Sequence, residues 1–168
     1  MRFLKAQNLT DVHILAHSFG ARVAFKAIEA HPEIAQSLIV TGGAGLVKPR
    51  SKEYVRKVRT YRRIKKIFPK FAEKHFGSSE YRTLSPVMRE SYKKIVNEDL
   101  SASAAKVRCR TYLLYGECDT VTPAAEEGQT FYKLIADSRF ETMEGGHFCF
   151  SEHPDIFNTK IINFLTEQ

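Results

Sequence analysis

At 168 residues the chain is long enough for one domain with a real core. Its 43% apolar residues are ordinary for a globular protein, and no apolar run approaches membrane-spanning length. The three cysteines Cys109, Cys118 and Cys149 cannot all pair within one chain and fit no zinc spacing, and the N-terminus carries no secretory pattern, so a reducing cytoplasm is the expected location. The formal net charge is +7, concentrated in one stretch considered below.

Residues 1–10 read as the tail of a helix, around Phe3 and Leu4, followed by a turn. Residues 12–16 form a short apolar run and read as a buried strand. The run ends on His17-Ser18-Phe19-Gly20 and passes directly into an apolar segment, 21–30, that reads as a helix and stops near His31-Pro32. A strand, a sharp turn and a helix with serine at the apex describe a nucleophile elbow. Such a turn forces the serine into a strained backbone and requires small residues two before and two after it, here Ala16 and Gly20. Residues 37–41 are apolar and β-branched, as in a parallel sheet covered on both faces. The glycine cluster Gly42-Gly43-Ala44-Gly45 that follows lacks dinucleotide-binding spacing and runs into Pro49 rather than a helix.

Strand and helix alternation is interrupted over 47–104. Two or three helices are expected there, one over residues 52–67 and one over 86–97 with Ser85 as N-cap and Pro86 at the first helical position. Residues 48–74 hold twelve lysines and arginines against Glu53 and Glu73. Apolar residues recur through them at helical spacing (Tyr54, Val58, Tyr61, Ile64, Phe68, Phe71), so the charge reads as the solvated face of an amphipathic helix rather than a nucleic-acid or membrane patch. A helical insertion of this size between sheet strands is expected to act as a lid. Alternation then resumes: a strand over 110–115, a helix from Pro123 to about residue 136, a strand over 139–143, and a last helix over 154–165 with Ile156, Phe157, Ile161, Ile162 and Leu165 as its buried stripe. The expected fold class is α/β: a parallel sheet with helices on both faces, divided into a first core part (1–46), a cap (47–104) and a second core part (105–168).

In parallel sheets functional residues gather at the carboxyl ends of strands. Three polar residues stand just past three strand ends: Ser18, Asp119 in Gly116-Glu117-Cys118-Asp119, and His147 in Gly145-Gly146-His147-Phe148. A serine hydroxyl needs a base to take its proton, an imidazole titrating near neutrality can be that base, and a carboxylate can hold the imidazole in one tautomer. Glu117 is the alternative acid. His17 reads as part of the elbow's packing, and nothing marks Cys149 as a nucleophile. No metal-ligand spacing is present and no cofactor is called for.

The segments Ala16-His17-Ser18-Phe19-Gly20-Ala21-Arg22, Tyr115 to Pro123, and Gly145-Gly146-His147-Phe148, in this order with a helical insertion between, resemble the α/β-hydrolase fold superfamily, specifically serine hydrolases with a helical cap. The resemblance implies Ser18 as nucleophile, Asp119 as acid, His147 as base and the Phe19 backbone N–H as one oxyanion donor. The resemblance does not fix a substrate; from their positions Val121, Phe148, Tyr54 and Tyr61 are expected to contact it, which points to a small apolar ester-like molecule with an acyl or aryl group. The resemblance also implies earlier strands and a second oxyanion donor upstream of the elbow. With the serine at residue 18 the sequence reads as the C-terminal two-thirds of such a fold. The first strand is then an apolar edge open to self-association. The alternative function is a non-catalytic module binding a small ligand or a partner.

Overall fold

In a computed structural model, residues 2–47, 52–68 and 85–167 are described. The elements run α1 (Arg2–Ala6), β1 (Val12–His17), α2 (Gly20–Ala30), a 3-10 turn (Pro32–Ile34), β2 (Ala35–Thr41), α3 (Lys52–Ile67), α4 (Pro86–Val96), α5 (Ser101–Ala104), β3 (Arg110–Gly116), a π-helical turn (Ala124–Gly128), α6 (Gln129–Leu134), β4 (Ser138–Met143), α7 (Cys149–Glu152) and α8 (Pro154–Thr166). All neighbouring strands are parallel, in the order β1-β2-β3-β4.

The period of two along each strand sorts the core into two layers. Leu38 and Val40 of β2, with Leu113 and Tyr115 of β3, meet Phe25 and Ile28 of α2 and Phe131 of α6 on one side. Ile39, Tyr112 and Leu114 face the other way, onto Met143, Cys149 and the α8 residues Phe157, Ile161 and Phe164. β2 and β3, in the middle, are buried on both faces, as their continuous apolar runs require. β1 is an edge strand, and its Leu15 is half exposed.

Three local expectations change. The helix anticipated from Pro123 is broken: it opens with a π-helical turn and becomes regular only at Gln129. The wide turn ends at Gly128, where a Cβ would lie 2.5 Å from the Phe140 ring, so the backbone runs hard against β4. On α8 the buried stripe is Phe157, Ile161 and Phe164, while Ile156, Ile162 and Leu165 are exposed. Both sets fit a helical period, and packing against Tyr112 at 5.2 Å selects the one containing Phe164. The four-residue α7 was not expected, being too short to show periodicity.

The chain forms two compact units, 1–46 with 99–168, and 47–98. The first contains the sheet and α5. Its chain leaves at Gly45 and returns at Leu100, whose N–H donates to the Gly45 carbonyl at 2.9 Å. In the second, α3 carries the expected half-buried Val58, Tyr61 and Ile64 beneath exposed Arg56, Lys57, Arg59 and Arg63. Ser85 caps α4, its hydroxyl accepting from the Met88 N–H at 3.3 Å. Among the described residues no helix is long and apolar enough to cross a membrane.

Candidate active site

At the end of β1 the chain turns through Ser18 with φ +50°, a left-handed conformation costing an L-residue roughly 1–2 kcal/mol. The neighbouring chain holds it there. The Ser18 N–H donates to the Thr41 carbonyl at 3.1 Å, and the Ser18 carbonyl accepts from the Ala44 N–H at 3.0 Å. The small flanking residues Ala16 and Gly20 face each other across the turn without crowding. A Cβ on Gly20 would sit 3.8 Å from the Ala16 methyl, so alanine at 16 is accommodated. Phe19 then opens α2 with no side-chain cap, and the Ala21 and Arg22 N–H groups return to the Ser18 and Phe19 carbonyls.

The loops after β3 and β4 bring two more groups to this turn. Ser18 Oγ lies 2.9 Å from His147 Nε2, and His147 Nδ1 lies 2.8 Å from Asp119 Oδ2. An ionised carboxylate only accepts hydrogen bonds, so Nδ1 carries the imidazole proton and Nε2 is left to accept from the serine hydroxyl. Asp119 is buried, and its other oxygen accepts from the Val121 and Thr122 N–H groups at 2.8 and 2.9 Å. Burial works to raise its carboxyl pKa. The hydrogen bonds from His147, from the N–H and hydroxyl of Thr122 and from the Val121 N–H outweigh it and hold the carboxyl below its ordinary value.

The loop carrying His147 is tied down on several sides. Glu152 accepts from the Gly146 N–H at 2.7 Å, and the Gly145 carbonyl accepts from the Cys118 N–H at 2.9 Å. His17 Nε2 lies 2.9 Å from the His147 carbonyl, and since a carbonyl only accepts, Nε2 is the donor. The His17 ring also packs against the rings of His147, Phe148 and Phe150, with centroids 4.7 to 5.2 Å apart.

Glu117 and Cys149 take no part in the hydrogen-bonded series from Ser18 to Asp119. Glu117, the alternative acid, is exposed and accepts from the Thr142 hydroxyl at 3.4 Å. Cys149 is buried beside Thr41, and burial pushes its thiol up, away from the reactive thiolate. Val121, Phe148 and Phe19 are large, apolar and about half or more exposed. The Tyr54 side chain lies outside the described residues, and Tyr61 is half-buried on α3 in the second unit. Among the described residues no three His, Cys, Asp or Glu side chains could hold a metal ion.

Two residues of the site have no separate signal in the sequence reading. Gly42, past the end of β2, has φ +51° and faces His147 and Asp119. Thr122 donates its hydroxyl into the Asp119 carboxylate. The Asp-x-x-Thr-Pro spacing is a turn signature that could have found Thr122; Gly42 emerges only from the pairing of β1 with β2.

Solved structures of the same shape identify the architecture. An α/β hydrolase enzyme from the metagenome of Mar Chica lagoon sediments, Morocco, is 23% identical with a TM-score of 0.69, over 97% of this chain and 64% of its own. The esterase EaEST from Exiguobacterium antarcticum is 21% identical with a TM-score of 0.71, over 98% and 70%. A membrane phospholipase A is 19% identical with a TM-score of 0.69, over 97% and 59%. The chain has the α/β-hydrolase fold, and it spans about two-thirds of the length of these structures. By sequence, it is 54% identical over 41 residues to a 1-acylglycerol-3-phosphate O-acyltransferase of Arabidopsis thaliana, a stretch covering 24% of this chain and 10% of that protein. No family model matches the chain.

Proposed function

We propose that the chain carries the catalytic residues of a serine hydrolase that cleaves an ester or related acyl bond through an acyl-enzyme. The observation that carries this reading is the unbroken hydrogen-bonded series from Ser18 Oγ through His147 to Asp119, at 2.9 and 2.8 Å, on a strained turn at a helix N-terminus. Ser18 Oγ attacks the carbonyl carbon while His147 Nε2 takes the hydroxyl proton, and Asp119 stabilises the imidazolium. The carbonyl oxygen becomes an oxyanion facing the Phe19 N–H, where the positive end of α2 favours negative charge. His147 returns the proton to the leaving alkoxide as the carbon–oxygen bond breaks. Water, deprotonated by the same imidazole, then releases the acid and regenerates Ser18. Exposed Phe19, Val121 and Phe148 favour an apolar acyl or aryl group, and the insertion 47–98 is the candidate cap.

A second reading has one specific support, the 41-residue likeness to an acyltransferase. There the acyl-enzyme is resolved by an alcohol hydroxyl instead of water, giving a new ester with the same residues in the same roles.

The test is covalent labelling by a fluorophosphonate read by intact mass. One adduct on the folded chain, absent in Ser18→Ala, is expected; a folded chain that takes no label overturns the reading in favour of a binding module. Ester hydrolysis with and without an alcohol acceptor then separates water from alcohol as the second substrate.

A further inference from the structure

The Thr122 side chain lies at the centre of the acid–base pair and has more neighbours than protons to give them. It is buried, with Oγ1 2.8 Å from Asp119 Oδ2, 2.9 Å from the Gly42 carbonyl oxygen and 3.2 Å from His147 Nδ1. A hydroxyl has one proton and two lone pairs. Its proton serves either the carboxylate or the carbonyl, and rotation about the Cβ–Oγ bond exchanges the two with no heavy atom moving.

We propose that Thr122 is a positioning residue for the acid–base pair: its hydroxyl shares Asp119 Oδ2 with His147, tempers the charge of that oxygen and thereby sets the lowest pH at which the imidazole remains free to accept the serine proton. The inference rests on the reading of Ser18, His147 and Asp119 as nucleophile, base and acid.

The direction follows from hydrogen-bond chemistry. The hydroxyl donates to the carboxylate, and a bond to an ionised acceptor is about twice as strong as a neutral one. Protonation adds its proton at Nε2, while Nδ1–H and the hydroxyl both donate to Oδ2 throughout; the hydroxyl's bond draws charge from that oxygen and so weakens the carboxylate's attraction for an imidazolium. Thr122 therefore stabilises the unprotonated base more than the protonated one. Burial strengthens the difference, since the carboxylate has no water to replace a lost donor.

The other titratable groups around the pair are His17 from β1, whose ring centroid is 4.7 Å from that of His147, Tyr115 from β3, which hydrogen-bonds the Gly43 carbonyl, and Cys149 and Glu152 from α7. Replacing Thr122 changes none of them. The comparison is repeated in a His17→Phe background, which removes the second imidazole beside His147.

The experiment measures the rate at which Ser18 is labelled by a fluorophosphonate as a function of pH, in the full chain and in Thr122→Val and Thr122→Ser. Valine keeps the shape and removes the hydroxyl; serine keeps the hydroxyl. The acidic limb of the profile is expected to move up by about half to one pH unit in Thr122→Val, in both backgrounds, and to return in Thr122→Ser. A purely structural role lowers the rate at every pH and leaves the limb in place; that result, or a downward shift, overturns the proposal while leaving Ser18 a labelled nucleophile. Should the valine variant not fold, Thr122→Ala, which removes the hydroxyl without crowding the Gly42 carbonyl, gives the same comparison. Absence of label on the unsubstituted chain is a different outcome: it overturns the nucleophile reading and this proposal with it.

Discussion

Adding one methyl group at Gly42 should slow the labelling of Ser18 more than it weakens the fold. Gly42 has φ +51°, so alanine there meets a backbone cost of roughly 1–2 kcal/mol. The new Cβ would also lie 3.1 Å from His147 Nδ1, 3.2 Å from Asp119 Oδ2 and 3.3 Å from His147 Cε1. These approaches are a few tenths of an ångström too close, and the atoms that must yield are the two that make the 2.8 Å bond between acid and base. For a chain of this size the backbone term lowers the melting temperature by about 2–4 °C per kcal/mol. Misplacing the base relative to the serine by a fraction of an ångström should slow fluorophosphonate labelling by about 10- to 100-fold. Thermal denaturation and labelling rate, measured on the same preparation, separate the two effects. Gly20→Ala is the stability control, because its Cβ meets only the Ala16 methyl at 3.8 Å. If Gly42→Ala melts lower but labels within twofold of the parent, the acid–base pair does not depend on that approach and the reasoning is wrong.

His17→Phe keeps a ring against Phe148 and Phe150 but removes the donor to the His147 carbonyl. Loss of about 1 kcal/mol should slow labelling roughly fivefold, with partial recovery in His17→Gln; an unchanged rate would show that the ring contacts alone hold the loop. At the far end of α2, Glu29 accepts from Lys106 at 2.7 Å, Ser103 at 2.7 Å and Lys26 at 3.3 Å, which together hold its carboxyl at about 2 against an ordinary 4.5. A depressed carboxyl stabilises the fold above its unfolded value and loses that contribution as pH falls through the folded one. The advantage of the parent over Glu29→Gln in denaturant midpoint should therefore be full above pH 4.5 and vanish as pH approaches 2. A constant difference across that window would exclude the linkage.

The parts legible in the sequence are those governed by local rules. The four strands, the elbow and α2 follow from apolar runs, β-branching and turn residues, and α3 matches its expected bounds because its apolar residues keep a helical period across sixteen positions. The convergence of Ser18, Asp119 and His147 was readable because a parallel sheet leaves few topologies, all with strand ends on one side. What escaped depends on contacts between distant segments. The stripe of α8 is decided by Tyr112 against Phe164, and the broken helix at Gly128 by Phe140 on another strand. Gly42 looked like part of a turn after β2, and Thr122 like an ordinary residue before a proline. Each acquires its place in the site only when β1, β2 and β3 are set side by side.

The hydrogen bond from the Leu100 N–H to the Gly45 carbonyl joins the two points at which residues 47–98 leave and rejoin the sheet. From the sheet's side, that whole stretch is one crossover with fixed ends. The entropy of closing such an excursion grows only with the logarithm of its length, by about 0.6 kcal/mol per doubling. The insertion can lengthen, shorten or be exchanged at little cost to the four strands and to the three loops that carry Ser18, Asp119 and His147. The fold thus joins two parts of unequal tolerance to length: strands whose register fixes the loops carrying Ser18, Asp119 and His147, and an insertion whose ends alone are fixed.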